Sequence, residues 1–279
     1  MVEFPVSSSQ RAPQSPRKVG SRLPTFAIIG AMKSGTTSMH HYLDAHPEIC
    51  MSEVKETNFF IAERNYPRGL DWYESLFKSP AKQYGEASPN YTKADSFPDV
   101  PERMHATLPN ARLIYVLRDP VERMISHYAH RYAKGKETRP LTEALLGPDY
   151  NVYLATSCYC TQLQKFLQYY SLERILVFAA EDLRQNRRTV LRRVYEFLDV
   201  DAGFDSPVLS KEHHITAKRF KAGSGLDRLQ EMFRPAAAKP TPPDLQLDAE
   251  VRGKLAEKLA PDVHSLRQLT GERFEQWCI

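Results

Sequence analysis

Long apolar runs are missing from this chain, and cysteine is scarce. No segment approaches the roughly 20 continuous apolar residues that cross a bilayer. The opening stretch, MVEFPVSSSQRAPQSPRKVGSR, lacks the apolar core of a signal peptide. A net charge of +4 over 279 residues is too mild for a general nucleic-acid binder, whose basic residues form a dense patch. The four cysteines, Cys50, Cys158, Cys160 and Cys278, are too few and scattered for a disulfide framework. Cys158-x-Cys160 is closer than zinc-knuckle spacing and has no second pair. Free thiols and no leader together give a cytoplasmic expectation. Neither cysteines nor histidines show metal spacing, so no metal is expected. No period of roughly 20–50 residues recurs, which excludes a solenoid.

What is present is enough apolar residue, 42%, for one large domain with a core. Residues 1–22 are rich in Ser, Pro, Arg and Gln and read as a disordered tail, leaving 23–279 as the domain. Within it, apolar runs alternate with helical patterns. TFAIIG is a buried-strand candidate, followed by a helix from about Thr36 to Ala45. QYGEAS (83–88) is a weaker strand, and ARLIYVLR (111–118) a strong one leading into the helical VERMISHYAHRYA. RILVFAAEDL (174–183) reads as a further strand. In the helix after it, Val190, Leu191, Val194, Tyr195 and Leu198 recur at helical spacing and should face the core. This order predicts an α/β fold: a single P-loop-like domain with a central, mainly parallel sheet flanked by helices. AKGKETRP (133–140) and RPAAAKPTPPDLQLD (234–248) read as insertions or mobile loops. The stretch from Ala249 to Trp277 is again helical in pattern, with Leu255, Leu259, Leu266 and Leu269 as core candidates.

Between the first strand and its helix lies Gly30-Ala-Met-Lys-Ser-Gly35, a glycine turn at a helix N-terminus and so an anion cradle. The usual phosphate loop, G-x-x-x-x-G-K-[ST], carries lysine directly after its second glycine. Here Thr36 stands in that place, and the lysine, Lys33, lies inside the loop. Backbone N–H groups of Lys33, Ser34, Gly35, Thr36 and Thr37 can still wrap a phosphate, with the threonine hydroxyls donating and Lys33 reaching the anion from the opposite side. No carboxylate is clearly placed to hold magnesium; FAAEDL is the nearest case.

The stretch GAMKSGTTSMHHYLDAHPEI resembles the 5′-phosphosulfate loop of sulfotransferases that use 3′-phosphoadenosine 5′-phosphosulfate (PAPS). The resemblance is greatest to the branch holding the heparan sulfate N- and 3-O-sulfotransferases and their bacterial relatives. It runs from about Phe26 to Trp277. In YVLRDPVERMISHYAH, Arg118 ends a strand and Ser126 lies in the next helix, near the crevice where parallel sheets gather ligands. A guanidinium and a hydroxyl suit a doubly charged oxyanion. The resemblance implies that this pair binds the 3′-phosphate, which ATP lacks.

On the acceptor side, EVKETNFF (53–60) matches the branch pattern K-E-x-x-F-F at Lys55, Glu56, Phe59 and Phe60. The resemblance makes Glu56 the general base. His130, four residues after Ser126, matches a histidine of the N-sulfotransferase members and is a second candidate for proton transfer or acceptor orientation. Where the branch reads E-K-S, this chain reads Glu86-Ala87-Ser88, which removes a basic residue from the substrate side. Lys218, Arg219 and Lys221 in ITAKRFKAGSG are the candidates for the basic loop that closes over the cofactor. The expected enzyme passes a sulfuryl group from PAPS to a hydroxyl or amine of a saccharide or small molecule, releasing 3′,5′-ADP. The rivals are a P-loop kinase using ATP and magnesium, and a nucleotide-binding protein with a dead site. The acceptor pocket is expected between the Glu56 segment and the regions near 133–157 and 205–245.

Overall fold

The computed structural model describes residues 21–147, 151–210 and 244–279. Five strands form one sheet: β1 (Phe26–Gly30), β2 (Ile49–Met51), β3 (Gln83–Ala87), β4 (Arg112–Leu117) and β5 (Ile175–Ala179). Their spatial order is β2-β3-β1-β4-β5, with every neighbouring pair parallel. Central β1 registers Ala27 against Glu86 on one side and Leu113 on the other.

Parallel strands are covered on both faces, so they read as continuous apolar runs rather than alternating ones. The pleat then sends successive residues to opposite cores. Ala27, Ile29, Leu113, Tyr115, Leu117 and Val177 enter one; Phe26, Ile28, Ile114, Val116, Leu176 and Phe178 enter the other.

The helices, in chain order, are α1 (Thr36–Asp44), α2 (Gly69–Glu74), α3 (Val100–Thr107), α4 (Pro120–Tyr132) and α5 (Leu141–Leu146). Then come α6 (Val152–Ser157), α7 (Tyr159–Leu167), α8 (Ala180–Gln185), α9 (Arg187–Leu198) and α10 (Ala249–Thr270). Met39, Tyr42 and Leu43 of α1 close one core together with α9, whose five apolar positions of helical spacing are all buried. Tyr159, Leu163 and Phe166 of α7 and Val263 and Leu266 of α10 close the other. Leu255 and Leu259 of α10 pack with α4, α5 and α6, and Leu269 is only partly buried. The helix ends at Gly271, whose φ of 72° is the left-handed cap that glycine adopts freely. The chain then folds back to stack Phe274 on Trp277.

The local reading needs correction in four places. The run 174–183 is not one strand: β5 stops at Ala179 and α8 begins at Ala180, with Glu181 and Asp182 in its first turn, where the helix dipole favours carboxylates. The 133–140 stretch is anchored, because Glu137 is buried and accepts hydrogen bonds from Tyr153 (2.8 Å) and from Arg139 (2.8 and 3.0 Å). The strand β2 was not anticipated. Ser21 and Arg22, grouped with the tail on composition, hydrogen bond to Glu74 and to the Phe77 and Lys78 carbonyls. Most of 234–248, and Lys218, Arg219 and Lys221, lie outside the described residues.

Candidate functional site

The glycine loop leaves the carboxyl end of β1, in the middle of the sheet. Its first residue is fixed by close approach: a Cβ on Gly30 would lie 2.2 Å from Thr92 Oγ1 and 2.7 Å from the Tyr115 ring. Ala31 N–H still donates to Val116 O at 2.7 Å, pinning the loop to β4. Beyond that the backbone enters unusual territory. Lys33 has φ 75° and Gly35 φ 88°. For a lysine this left-handed conformation is uncommon, and such outliers gather where a ligand must be approached closely.

Gly35 occupies the N-cap of α1 with no side-chain cap, and no acidic residue lies in the first turn. Neither a capping side chain nor a first-turn carboxylate offsets the positive end of α1, and an anion is a natural partner there. Ser34 is buried, and its hydroxyl lies beside the Tyr159 phenol without a hydrogen bond of good geometry among the described residues. A buried hydroxyl without a partner is unfavourable unless something else completes it. Thr36 is buried and Thr37 half-buried in the same turn.

Arg118 leaves the end of β4, one strand over. Its terminal nitrogen reaches Glu122 at 3.4 Å, while its Nε is buried without a partner among the described residues. Ser126 is buried two turns into α4. Asp119 sets the direction of that helix: Oδ1 accepts from Glu122 N–H at 2.9 Å, and Oδ2 from Cys278 N–H at 2.9 Å. The FAAEDL carboxylates are engaged elsewhere. Glu181 accepts from Asp119 N–H, Arg184 and Trp277, and Asp182 from Gln276. Among the described residues no cluster of three His, Cys, Asp or Glu side chains has metal-binding proximity.

Across the crevice, Glu56 sits just past β2 with φ 64°, its N–H donating to Ala87 O at 2.9 Å. Its carboxylate is exposed and ion-paired to Lys55 at 3.0 Å. The backbone carrying it is held firmly. Asn58, also left-handed at φ 47°, donates Nδ2 to Glu56 O (2.7 Å), accepts from Asn90 Nδ2 (2.9 Å), and donates N–H to Ser88 Oγ (2.9 Å).

Beneath lies a hub that sequence reasoning treated only as part of a motif. Glu86 is wholly buried and takes hydroxyl donors from Thr57 (2.6 Å), Ser88 (2.6 Å), Tyr73 (2.8 Å) and Tyr91 (2.6 Å). Hydrogen bonds to an ionised acceptor are the stronger kind, so this carboxylate fastens three segments together. Burial, reinforced by the Glu86 charge, raises the Tyr73 and Tyr91 phenols well above their usual range, which keeps them protonated as donors.

His130 stands half-buried in the last turn of α4, in the electrostatic surroundings of His127. The deeper histidine is His127, one turn earlier. Its Nδ1 lies 3.4 Å from the buried Arg123 guanidinium, which itself donates to Ser157 Oγ and Tyr153 O, both at 2.6 Å. Burial, then the charges of Arg123 and Lys93, push the His127 pKa far down, so the ring is neutral. Lys93 was missed altogether. Burial, then Arg123 and Arg64, lower its ammonium to about 7, against an opposing pull from Glu56. No local spelling marks such a lysine, because its surroundings come from α4 and from the segment around residues 56–64.

The profile of the family described as "Sulfotransferase domain" matches residues 23–230. Human bifunctional heparan sulfate N-deacetylase/N-sulfotransferase 2 is 31% identical over 206 residues, 67% of this chain and 23% of the relative. The membrane-associated sulfotransferase kil1 of Dictyostelium discoideum is 40% identical over 126 residues, 43% of this chain and 26% of the relative. These matches thus span about a quarter of the relatives' own length. Among solved structures, a sulfotransferase from Alicyclobacillus acidocaldarius aligns with TM-score 0.70 and 25% identity, covering 91% of this chain and 98% of that one. Sulfotransferase STF9 from Mycobacterium avium, at TM-score 0.51 and 15% identity, covers 92% and 79% and shares the fold. The parallel sheet, the glycine loop at its centre and the match over most of the chain lead to one conclusion: this chain belongs to the sulfotransferase family.

Proposed function

We propose that the sulfate donor is PAPS and that the acceptor is a hydroxyl or amine of a saccharide or small molecule. One observation carries the donor: at the ends of adjacent strands, Ser34 Oγ and Arg118 Nε are buried with no hydrogen-bond partner among the described residues. Two anion sites at separate strand ends fit a nucleotide with phosphates on both its 5′ and 3′ positions. The glycine loop would hold the 5′-phosphosulfate through the amides of residues 33–37 and the Ser34 and threonine hydroxyls. Arg118 and Ser126 would hold the 3′-phosphate. The saccharide class of acceptor is supported by the relatives that are heparan sulfate N-sulfotransferases.

In this scheme the acceptor oxygen or nitrogen attacks sulfur in line as the bond from sulfur to the 5′-phosphate breaks. The reaction is treated by analogy with phosphoryl transfer, where positioning and charge stabilisation do most of the work. Lys33 and the loop amides neutralise the charge that develops on the departing phosphate. Glu56 accepts the acceptor's proton. No metal enters these steps, because Lys33 and the loop amides would supply the positive charge.

Thermal unfolding with 3′,5′-ADP, 5′-AMP or ATP tests the donor. A ligand that prefers the native state raises stability by mass action. The expected order places 3′,5′-ADP well above the other two. An equal shift from ATP would remove the 3′-phosphate site and favour a kinase-like reading.

A further inference from the structure

The buried Glu86 carboxylate has no role in this scheme, yet its bonds lead to the segment that carries Glu56. Its two oxygens are shared evenly. Oε1 accepts from Tyr73 (2.8 Å) and Tyr91 (2.6 Å), and Oε2 from Thr57 and Ser88 (both 2.6 Å). A carboxylate offers about four lone-pair positions, and here all of them are occupied. Every one of these partners is a hydroxyl.

A hydroxyl has one proton, so one that donates to Glu86 can only accept from its other neighbours. Three of the four do so, and their donors are consecutive backbone N–H groups. Ser88 Oγ accepts from Asn58 (2.9 Å), Thr57 Oγ1 from Phe59 (3.3 Å) and Tyr91 Oη from Phe60 (3.4 Å). Tyr73 donates to the same oxygen as Tyr91 but receives no backbone N–H among the described residues. The chain directly after Glu56 thus hangs from one carboxylate through three hydroxyls. Glu56 is pinned beside it, by its N–H on Ala87 O at 2.9 Å and by Asn58 Nδ2 on its carbonyl at 2.7 Å. Glu56 and Asn58 both have left-handed backbone, which persists only where the surroundings over-determine it.

Resting on the reading of Glu56 as the general base, we propose that Glu86 is a positioning residue for the reaction. Through Ser88, Thr57 and Tyr91 its carboxylate holds the segment that presents Glu56 to the acceptor. The carboxylate suits this task because it donates nothing: all four hydroxyl protons turn inward, and three oxygens are left facing the backbone. An amide in its place would present an N–H2 donor to two of those protons. Either oxygen serves at least one hydroxyl that holds the segment, so the amide must disturb it whichever way it is turned. A displacement of about 1 Å at a reacting group can cost roughly 10²-fold in rate. The glycine loop and Arg118 lie outside this network, so donor binding is not its concern.

Transfer from PAPS to water, followed as release of 3′,5′-ADP, tests this without an identified acceptor. Glu86→Gln and Ser88→Ala should both slow it, by up to roughly 10²-fold, and keep the wild-type thermal shift with 3′,5′-ADP. Amide hydrogen exchange at Asn58, Phe59 and Phe60 should quicken in both. Tyr73→Phe is the control: it takes one donor from the same carboxylate, keeps the ring stacked on Phe59 at 4.0 Å, and should turn over close to wild type. If Glu86→Gln does not fold, Ser88→Ala against Tyr73→Phe decides alone. A double-mutant cycle separates positioning from a general loss of structure. In a Glu56→Gln background, Ser88→Ala should slow transfer no further, because the group it positions is already gone. The same loss in both backgrounds, or Ser88→Ala at the wild-type rate, would overturn the positioning role and leave Glu56 as the base. Glu56→Gln at the wild-type rate would instead remove the base assignment, and the proposal with it.

Discussion

Asn90 donates its amide to Asn58 Oδ1 at 2.9 Å, and this bond joins the segment that carries Lys93 to the segment that carries Glu56. Asn58 is suited to the place twice over. Asparagine tolerates the left-handed backbone, here φ 47°, better than most residues, and its side chain serves Glu56 O and Asn90 together. Asn58→Ala should cost about 1–3 kcal/mol, from backbone strain and from lost hydrogen bonds. Asn58→Gly relieves the strain but not the bonds and should cost less. Urea unfolding of both checks this; equal losses would show that the backbone conformation contributes nothing.

Lys33→Ala should lower kcat about 10²–10³-fold, the scale of one lost contact to a developing anion. Binding of 3′,5′-ADP should weaken less, because the loop amides remain. Lys33 sits at φ 75°, so Lys33→Gly serves as the control that fits the backbone without strain. Both variants should lose the same chemistry. If glycine restored turnover, the loop conformation rather than the ammonium would be the active element.

The buried imidazole of His127 makes a separate prediction for stability. Its native pKa is lowered, by burial first and by Arg123 next, so below the unfolded value of about 6.5 the unfolded chain binds a proton that the native state refuses. Stability then rises with pH up to about 6.5 and gains nothing from this group above it. Melting temperatures from roughly pH 5 to pH 8 should show that slope, flattened in His127→Gln relative to wild type. An unchanged slope would mean that His127 takes up its proton without unfolding.

What could be read from the chain and what could not follows from how far each feature reaches. Strands β1, β4 and β5 are apolar on both faces, so each announces itself as a run. Helix α9 repeats its apolar residues at helical spacing because one face meets the sheet. The glycine loop is contiguous, and Lys33 and its neighbours are named by spelling alone. Strand β2 has only three residues, Ile49–Met51, too few to show a period. Glu181 and Asp182 follow an unbroken apolar run, which hid the change from strand to helix at Ala180. Glu86 and Lys93 were opaque for a different reason. A carboxylate becomes a hub, and an ammonium has its pKa lowered, only when residues from separate segments surround it. Those neighbours are remote in sequence and adjacent only after folding.

Glu56 bears the sharpest test. In the structure its carboxylate is exposed and paired to Lys55 at 3.0 Å, so an ordinary surface ion pair and a base waiting for its acceptor look alike. They differ in consequence. Glu56→Gln keeps shape and hydrogen bonding but cannot accept a proton. As the base, its loss should slow the chemical step roughly 10²–10⁴-fold while 3′,5′-ADP affinity stays near wild type. As a surface pair, it should change stability by less than about 1 kcal/mol and leave turnover alone. Single-turnover transfer from pre-bound PAPS separates the two, because it isolates chemistry from product release. A glutamine variant that transfers sulfate at the wild-type rate would remove Glu56 from the reaction and leave the acceptor's proton to His130.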